Sequence, residues 1–174
     1  YRQIQFIQSK PIGYDRDHVL SIELEGRLAD SLRLQTTFLA EARRIPGVLA
    51  ASSTNHNFSG HDGGTWDVEW SGKDPNDRTE FEIIAGEMDM TRTLGMTIKE
   101  GRAFSRDYPS DSSGVIFNEA AIQFMGLQHP IGQPVTVWGQ KVNIVGVVHD
   151  FHFQSLHEKV KPVIILLKPE YTYR

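Results

Sequence analysis

The sequence predicts an α+β protein in two lobes, a small strand-helix-strand lobe followed by a larger lobe of mixed α and β structure. Three observations carry this. Residues 19–53 read as strand, helix, strand; residues 54–64 shift to Asn, His, Gly, Ser and Asp; and residues 66–167 alternate short apolar runs with turn residues.

Taken in order, residues 1–10 read as the middle of a helix, with Ile4, Phe6 and Ile7 apolar, broken at Pro11 and Gly13. The segment opens without methionine and reads as cut from something longer. Residues 19–24 alternate like a strand. Residues 28–45, apolar at 28, 32, 38, 39, 42 and 45, predict an amphipathic helix stopped by Pro46 and Gly47, and residues 48–53 return as a strand. Trp66, Val68 and Trp70 alternate with polar residues and place the three apolar side chains on one face; a turn-rich stretch at 71–78 then leads to alternation at 80–84, which predicts a hairpin. Residues 88–94 suit a short helix ended by Gly95, and 96–99 a strand. After a polar loop at 105–114, residues 115–117 form a brief strand, Asn118 caps a helix through Met125 with Glu119 near the positive end of its dipole, and Gly126 closes it. A hairpin over 135–137 and 142–148, turning at Gly139 and Gln140, precedes a last strand at 163–167. Tyr171, Thr172 and Tyr173 then favour the start of another strand.

Composition excludes several functions. The chain has 174 residues, 39% hydrophobic and 23% charged, which suits a folded globular body. A formal charge of −4 lacks the basic excess that binding a phosphate backbone requires, so no nucleic-acid partner is expected. The absence of cysteine removes disulfide, thiolate-metal and Cys-nucleophile chemistry together. No apolar run approaches the roughly 20 residues that a spanning helix needs.

Histidine is the strongest candidate for chemistry. His149, His152 and His157 lie beside Asp150 and Glu158, residue types that bind zinc, and so raise a secreted metal-dependent hydrolase as an alternative reading. Against it, the spacing contains neither HExxH nor a paired Cys/His knuckle, and rings bonded to backbone and carboxylates around a structured turn explain the same residues. His56, His61 and Asp62 fall in a glycine-rich stretch read as an exposed, mobile loop. Ser59 and Gly60 lack the strand-to-helix setting of a nucleophile elbow, and Gly60, Gly63 and Gly64 match no phosphate-binding loop. Scattered carboxylates give no glycosidase pair, and Met88, Met90 and Met96 read as core rather than a copper box. No catalytic residue, metal ligand or cofactor is expected.

The order of several short motifs resembles the extracytoplasmic domain of MacB/FtsX-like ABC transporter permeases, Bacteroidetes-type members above all. They are Gly13-Tyr14-Asp15-Arg16; Ile45-Pro46-Gly47-Val48 leading to Ser52-Ser53; Leu94-Gly95-Met96 leading to Glu100-Gly101-Arg102-Ala103-Phe104-Ser105; and Phe117-Asn118-Glu119-Ala120-Ala121 with Met125-Gly126-Leu127 and Pro130-Ile131-Gly132. They end with Ile144-Val145-Gly146-Val147-Val148, Asp150-Phe151-His152-Phe153-Gln154-Ser155-Leu156-His157 and Lys161-Pro162.

The resemblance implies a domain between the first two membrane helices of an inner-membrane permease, facing the periplasm. Residues 1–13 would end a stalk helix, 14–53 form the first half of a membrane-near lobe, 54–168 an inserted outer lobe, and 169–174 the start of a second, truncated half. It further implies a non-catalytic part that relays ATP-driven motion and contacts substrate or partners. Those partners are a cytoplasmic ABC ATPase and, beyond it, a second permease subunit and a periplasmic adaptor. A module that senses peptides is the other non-enzymatic reading. Asp150, His152, Ser155 and His157 are then a hinge or contact turn. With half of its lobe missing, the 19–53 unit is expected to rearrange, to pair with a neighbouring chain or to have been cleaved after folding, because a lone strand pair leaves open edges.

Overall fold

Valine and isoleucine dominate residues 114–118, 140–148 and 163–167, and branched side chains of this kind stiffen an extended backbone and pack well on a pleated surface. In the computed structural model, which describes residues 13, 18–57, 62–152 and 159–168, these runs are the central strands of one mixed sheet. The eight strands are β1 (Gly64–Thr65), β2 (Val68–Glu69), β3 (Phe81–Gly86), β4 (Ile98–Gly101), β5 (Gly114–Asn118), β6 (Pro134–Val137), β7 (Gln140–Val148) and β8 (Val163–Leu167). Among the described residues three α-helices accompany them: α1 (Leu32–Ala42), α2 (Met90–Thr93) and α3 (Glu119–Met125). The expected mixture of helix and sheet is therefore present.

Neighbouring strands follow the order β1-β3-β8-β5-β7-β6-β2. The β3–β8 and β5–β7 pairs are parallel and the rest antiparallel. Strand β4 pairs with residues 146–148 of β7, while β6 takes residues 140–143. The first and last strands in this order are separated in the chain by Trp66 and Asp67 alone. Two extended residues reach only about 7 Å, so the sheet must curl until β3 and β6 flank one continuous segment. The sequence reading paired 66–70 with 80–84 as a hairpin; instead Thr65 lies opposite Phe81, and Val68 crosses to Val137. Trp66 is 57% exposed rather than sharing the buried face of Val68, whereas Trp70 packs edge-on against Phe81 and Phe124.

Alternation along β5 and β8 divides the core between the two faces of the sheet. Val115, Phe117, Ile164 and Leu166 join Phe81, Ile144 and, from α3, Ala121 and Met125. Ile116, Val163 and Ile165 join Ile84, Phe104, Phe151 and, from α2, Met90. Burial at about 25 cal/mol per Å² makes these two layers the main source of stability. Among the described residues, neither layer draws on the chain before Val68.

That earlier part departs from expectation. Residues 19–24 and 48–53 form no strand, and only Thr54 makes an isolated bridge, to Gly86. A strand needs a partner along its length for its backbone groups; among the described residues neither segment is paired in this way, although the Ser53 carbonyl accepts the Glu87 N–H. The helix does form, although shorter than 28–45: Ser31 accepts the Leu34 N–H to cap it, and the chain turns away after Ala42. Its surroundings stay open, with Leu20 82%, Ile22 49%, Ile45 57% and Leu49 88% exposed.

Candidate functional site

Strands β5 and β7 are parallel and finish together, Asn118 opposite Val148, while β8 begins beside them, with Phe117 facing Ile164. One end of the sheet thus gathers the start of α3, the segment leaving β7 and the segment entering β8. Its central side chain is Asn118, which is fully buried. Its Oδ1 accepts the Ala121 N–H at 3.1 Å and the Val163 N–H at 2.8 Å, and its Nδ2 donates to the Lys161 carbonyl at 2.9 Å. The cap read from sequence is therefore also the anchor for the approach to β8.

Glu119 and Asp150 extend the network. Glu119 Oε2 accepts the Asp150 N–H at 3.0 Å and lies 3.1 Å from His149 Nδ1, while Oε1 pairs with Lys99 Nζ from β4. Asp150 Oδ1 accepts the Ala120 N–H at 2.8 Å. The Lys99 hydrogen bond, opposed by burial and aided by the Asp150 N–H and His149, holds Glu119 down to about 2. Burial pushes Asp150 above the ordinary aspartate range; the Ala120 N–H opposes this, and the Glu119 charge adds to it. Two adjacent carboxylates are thus driven apart by surroundings rather than by residue type.

Of the four turn residues expected from sequence, Asp150 is built into this network and His152 follows the buried Phe151. Ser155 and His157 lie outside the described residues, as does Glu158. Among the described residues no group of three or more His, Asp or Glu side chains is placed to hold a metal ion. His149 faces Glu119 at the rim, and the polar groups here are engaged in positioning backbone.

Gly13 meets the same turn. A Cβ at this position, where φ is +86°, would overlap the Asp150 carbonyl oxygen and the Cα and Cβ of Phe151. Only glycine admits both this close approach and this backbone conformation without strain. Gly13 is therefore seated on the backbone that Glu119 and Asp150 fix.

A second polar group at this end was missed by the sequence reading. His56 Nε2 lies 3.0 Å from Glu82 Oε1, with both side chains wholly buried. The same oxygen accepts the N–H groups of Asp62, at 2.9 Å, and Gly63, at 3.3 Å. The reading of His56 and Asp62 as members of an exposed mobile loop is corrected for His56, which is buried against the sheet. Asp62 is exposed but accepts the Asn57 N–H at 2.6 Å; His61 lies outside the described residues. The available signal was Glu82 itself, an acid within the apolar run FEIIAG, which must find donors once buried.

Comparison with known proteins agrees with this architecture. The periplasmic region of MacB from Actinobacillus actinomycetemcomitans superposes with a TM-score of 0.51 at 12% identity, over 86% of this chain and 56% of that one. The extracellular domain of the noncanonic ABC-type transporter YknZ from Gram-positive bacteria gives 0.49 at 14% identity, over 74% and 59%. The chain thus spans little more than half the length of these solved regions. No curated protein matches its sequence. The family model for the MacB-like periplasmic core domain matches residues 4–168, nearly the whole chain, and the chain belongs to that family.

Proposed function

We propose that this chain is the extracytoplasmic part of an ABC transporter permease, facing the periplasm from the inner membrane, and that it relays ATP-driven motion without making or breaking bonds. Residues 14–53 would belong to a membrane-near lobe and 54–168 to an outer lobe, with 1–13 ending a stalk and 169–174 opening the rest of the inner lobe. A cytoplasmic ABC ATPase would drive the motion, and a second permease subunit and a periplasmic adaptor would receive it.

The observation that carries this reading is the seat of Gly13 on Asp150 and Phe151. Motion arriving through the residues before Gly13 would press on backbone that Glu119 and Asp150 tie to α3 and that Phe151 ties to the core. The turn formed by Asp150, His152, Ser155 and His157 would then be the contact through which the outer lobe receives the push. Family membership supports the transporter assignment. No described helix is long and apolar enough to cross a membrane.

The test is transport by the full-length permease carrying Gly13→Val. Loss of transport with the ATPase still hydrolysing ATP at its basal rate is the expected result. Unchanged transport would discard the relay through this contact.

A further inference from the structure

The helix α1 unit, residues 18–53, contributes nothing to either apolar layer of the sheet. Among the described contacts that join it to the sheet body, the following are polar. Arg43, directly after α1, donates through Nε and Nη2 to the Ala51 carbonyl, at 3.0 and 2.7 Å. The same Nη2 lies 2.8 Å from Glu87 Oε2 and 3.2 Å from Asp89 Oδ2, on the turn between β3 and α2. Asp89 also faces Arg106 at 3.7 Å. One guanidinium therefore ties together the end of α1, the strand-less 48–53 segment and the sheet.

Just beyond Arg43's reach lies a narrow crossing. The Glu87 N–H donates to the Ser53 carbonyl at 3.0 Å, the Asn55 N–H to Ala85 at 3.0 Å, and Asn55 Oδ1 accepts the Ala85 N–H at 2.7 Å. Gly86, between them, leaves no room for a side chain beside Met90 and the Ser53 carbonyl. A backbone zipper of three residues is a pivot, because it fixes position at one point while leaving orientation to other contacts. Here the described contact beside it is the Arg43 cluster, whose side chains are 28%, 14% and 27% exposed for Arg43, Glu87 and Asp89. Gly13, before this unit, is another described contact with the sheet body, and it too adds no apolar layer.

We propose that Arg43 with Glu87 and Asp89 is a salt-sensitive latch, which holds the α1 unit in one orientation about a pivot at residues 53–55. Ion pairs of this exposure are strong enough to bias two orientations and weak enough to open under load. The purpose of such a latch rests on the relay reading above; its existence does not.

The chain has no cysteine, so spin labels can be placed on Arg33→Cys in α1 and Gln123→Cys in α3, both exposed, and their separation measured in the isolated chain. The expected result is one narrow distance at low salt. The ratio of closed to open chain should fall by about fivefold or more in Glu87→Gln/Asp89→Asn and in Arg43→Met, since each removes both partly shielded pairs and one such pair carries about that factor. Unsubstituted chain in about 1 M salt should broaden in the same way. All three tryptophans, Trp66, Trp70 and Trp138, belong to the sheet body, so unchanged emission certifies that its fold is intact. Where a variant shifts that emission, the salt titration of the unsubstituted chain decides. A distance distribution indifferent to both the charge-removing variant and salt would overturn the latch. If the distances open as expected while Gly13→Val leaves transport intact, the relay fails and the latch stands.

Discussion

Glu119 and Asp150 fix one another across the end of the sheet: Glu119 Oε2 takes the Asp150 N–H at 3.0 Å, and Asp150 Oδ1 takes the N–H of Ala120, next to Glu119, at 2.8 Å. Each carboxylate serves the backbone beside the other, yet their protonation is displaced in opposite directions. This gives the pair a test that a generic surface cluster would fail.

Glu119 is held at about 2 against an ordinary 4.5, so its contribution is complete above 4.5 and is lost as pH falls from there toward 2. Asp150 is raised, so its contribution is complete below the ordinary aspartate range and is lost as pH rises through its folded value. Glu119→Gln should therefore cost about 1–2 kcal/mol near neutral pH, after discounting for partial exposure, and should flatten the acid limb of stability. Asp150→Asn keeps an oxygen for Ala120 and removes a charge beside Glu119, so it should be neutral or slightly stabilising at the same pH. Urea unfolding across the acid range reads both; equal losses from the two amides would contradict the opposed shifts.

Asn118 carries three hydrogen bonds from a wholly buried side chain. Asn118→Ala loses the cap of α3 and strands the Val163 N–H and Lys161 carbonyl, which should cost about 2–4 kcal/mol. Asn118→Asp keeps the two accepted bonds but turns a carboxylate toward the Lys161 carbonyl, and so should still cost more than 1 kcal/mol, roughly, in chemical denaturation. Full stability in the Asp variant would show that the bond to Lys161 contributes nothing.

How much of this was legible follows sequence separation. Asn118 and Gly126 act on residues within the same helix, and both roles were read from the sequence. The main strands were legible because β-branched runs between turn residues can do little else. The His56–Glu82 pair, 26 residues apart, and the Arg43–Glu87 pair, 44 apart, leave no local periodicity to detect. The failed strands at 19–24 and 48–53 show the converse: their alternation was real, but alternation specifies a face and not a partner. Asp150 was placed at a hinge or contact turn by the family resemblance; its bond to the Ala120 N–H, at the first turn of α3, was not legible in the sequence.

Arg102 and Asp111 make the next case. The buried Asp111 accepts two bonds from the guanidinium, at 2.6 and 2.7 Å, and the Ser105 N–H at 2.9 Å. Burial alone would raise its pKa, but Arg102 and Ser105 outweigh burial and lower it. Arg102→Met leaves that carboxylate buried with one donor and should cost about 3 kcal/mol at neutral pH. Because the lowered pKa contributes stability only above the ordinary aspartate range, the deficit of the variant should shrink as pH falls through that range. Thermal unfolding with a deficit constant in pH would sink this account.

Trp138 explains how the sheet closes. It stands at φ +51° in the β6–β7 turn, a conformation costly for a bulky residue, and its backbone N–H reaches the Asp67 carbonyl at 3.1 Å while its indole N–H reaches Thr65 Oγ1, also at 3.1 Å. Thr65 Oγ1 in turn accepts the Asp67 N–H at 3.0 Å. One hydroxyl thus secures both sides of the two-residue link between β1 and β2. Thr65→Val keeps the shape and removes the acceptor, so the link should lose about 1–2 kcal/mol of support, and Trp138, already 43% exposed, should become more so. The check is tryptophan emission with Trp66 and Trp70 replaced by phenylalanine: a red shift and stronger quenching by iodide in Thr65→Val are expected. Identical emission would mean that the seam is held by the strand pairing of Val68 and Glu69 with β6, and that the left-handed turn at Trp138 is not maintained by its bond to Thr65.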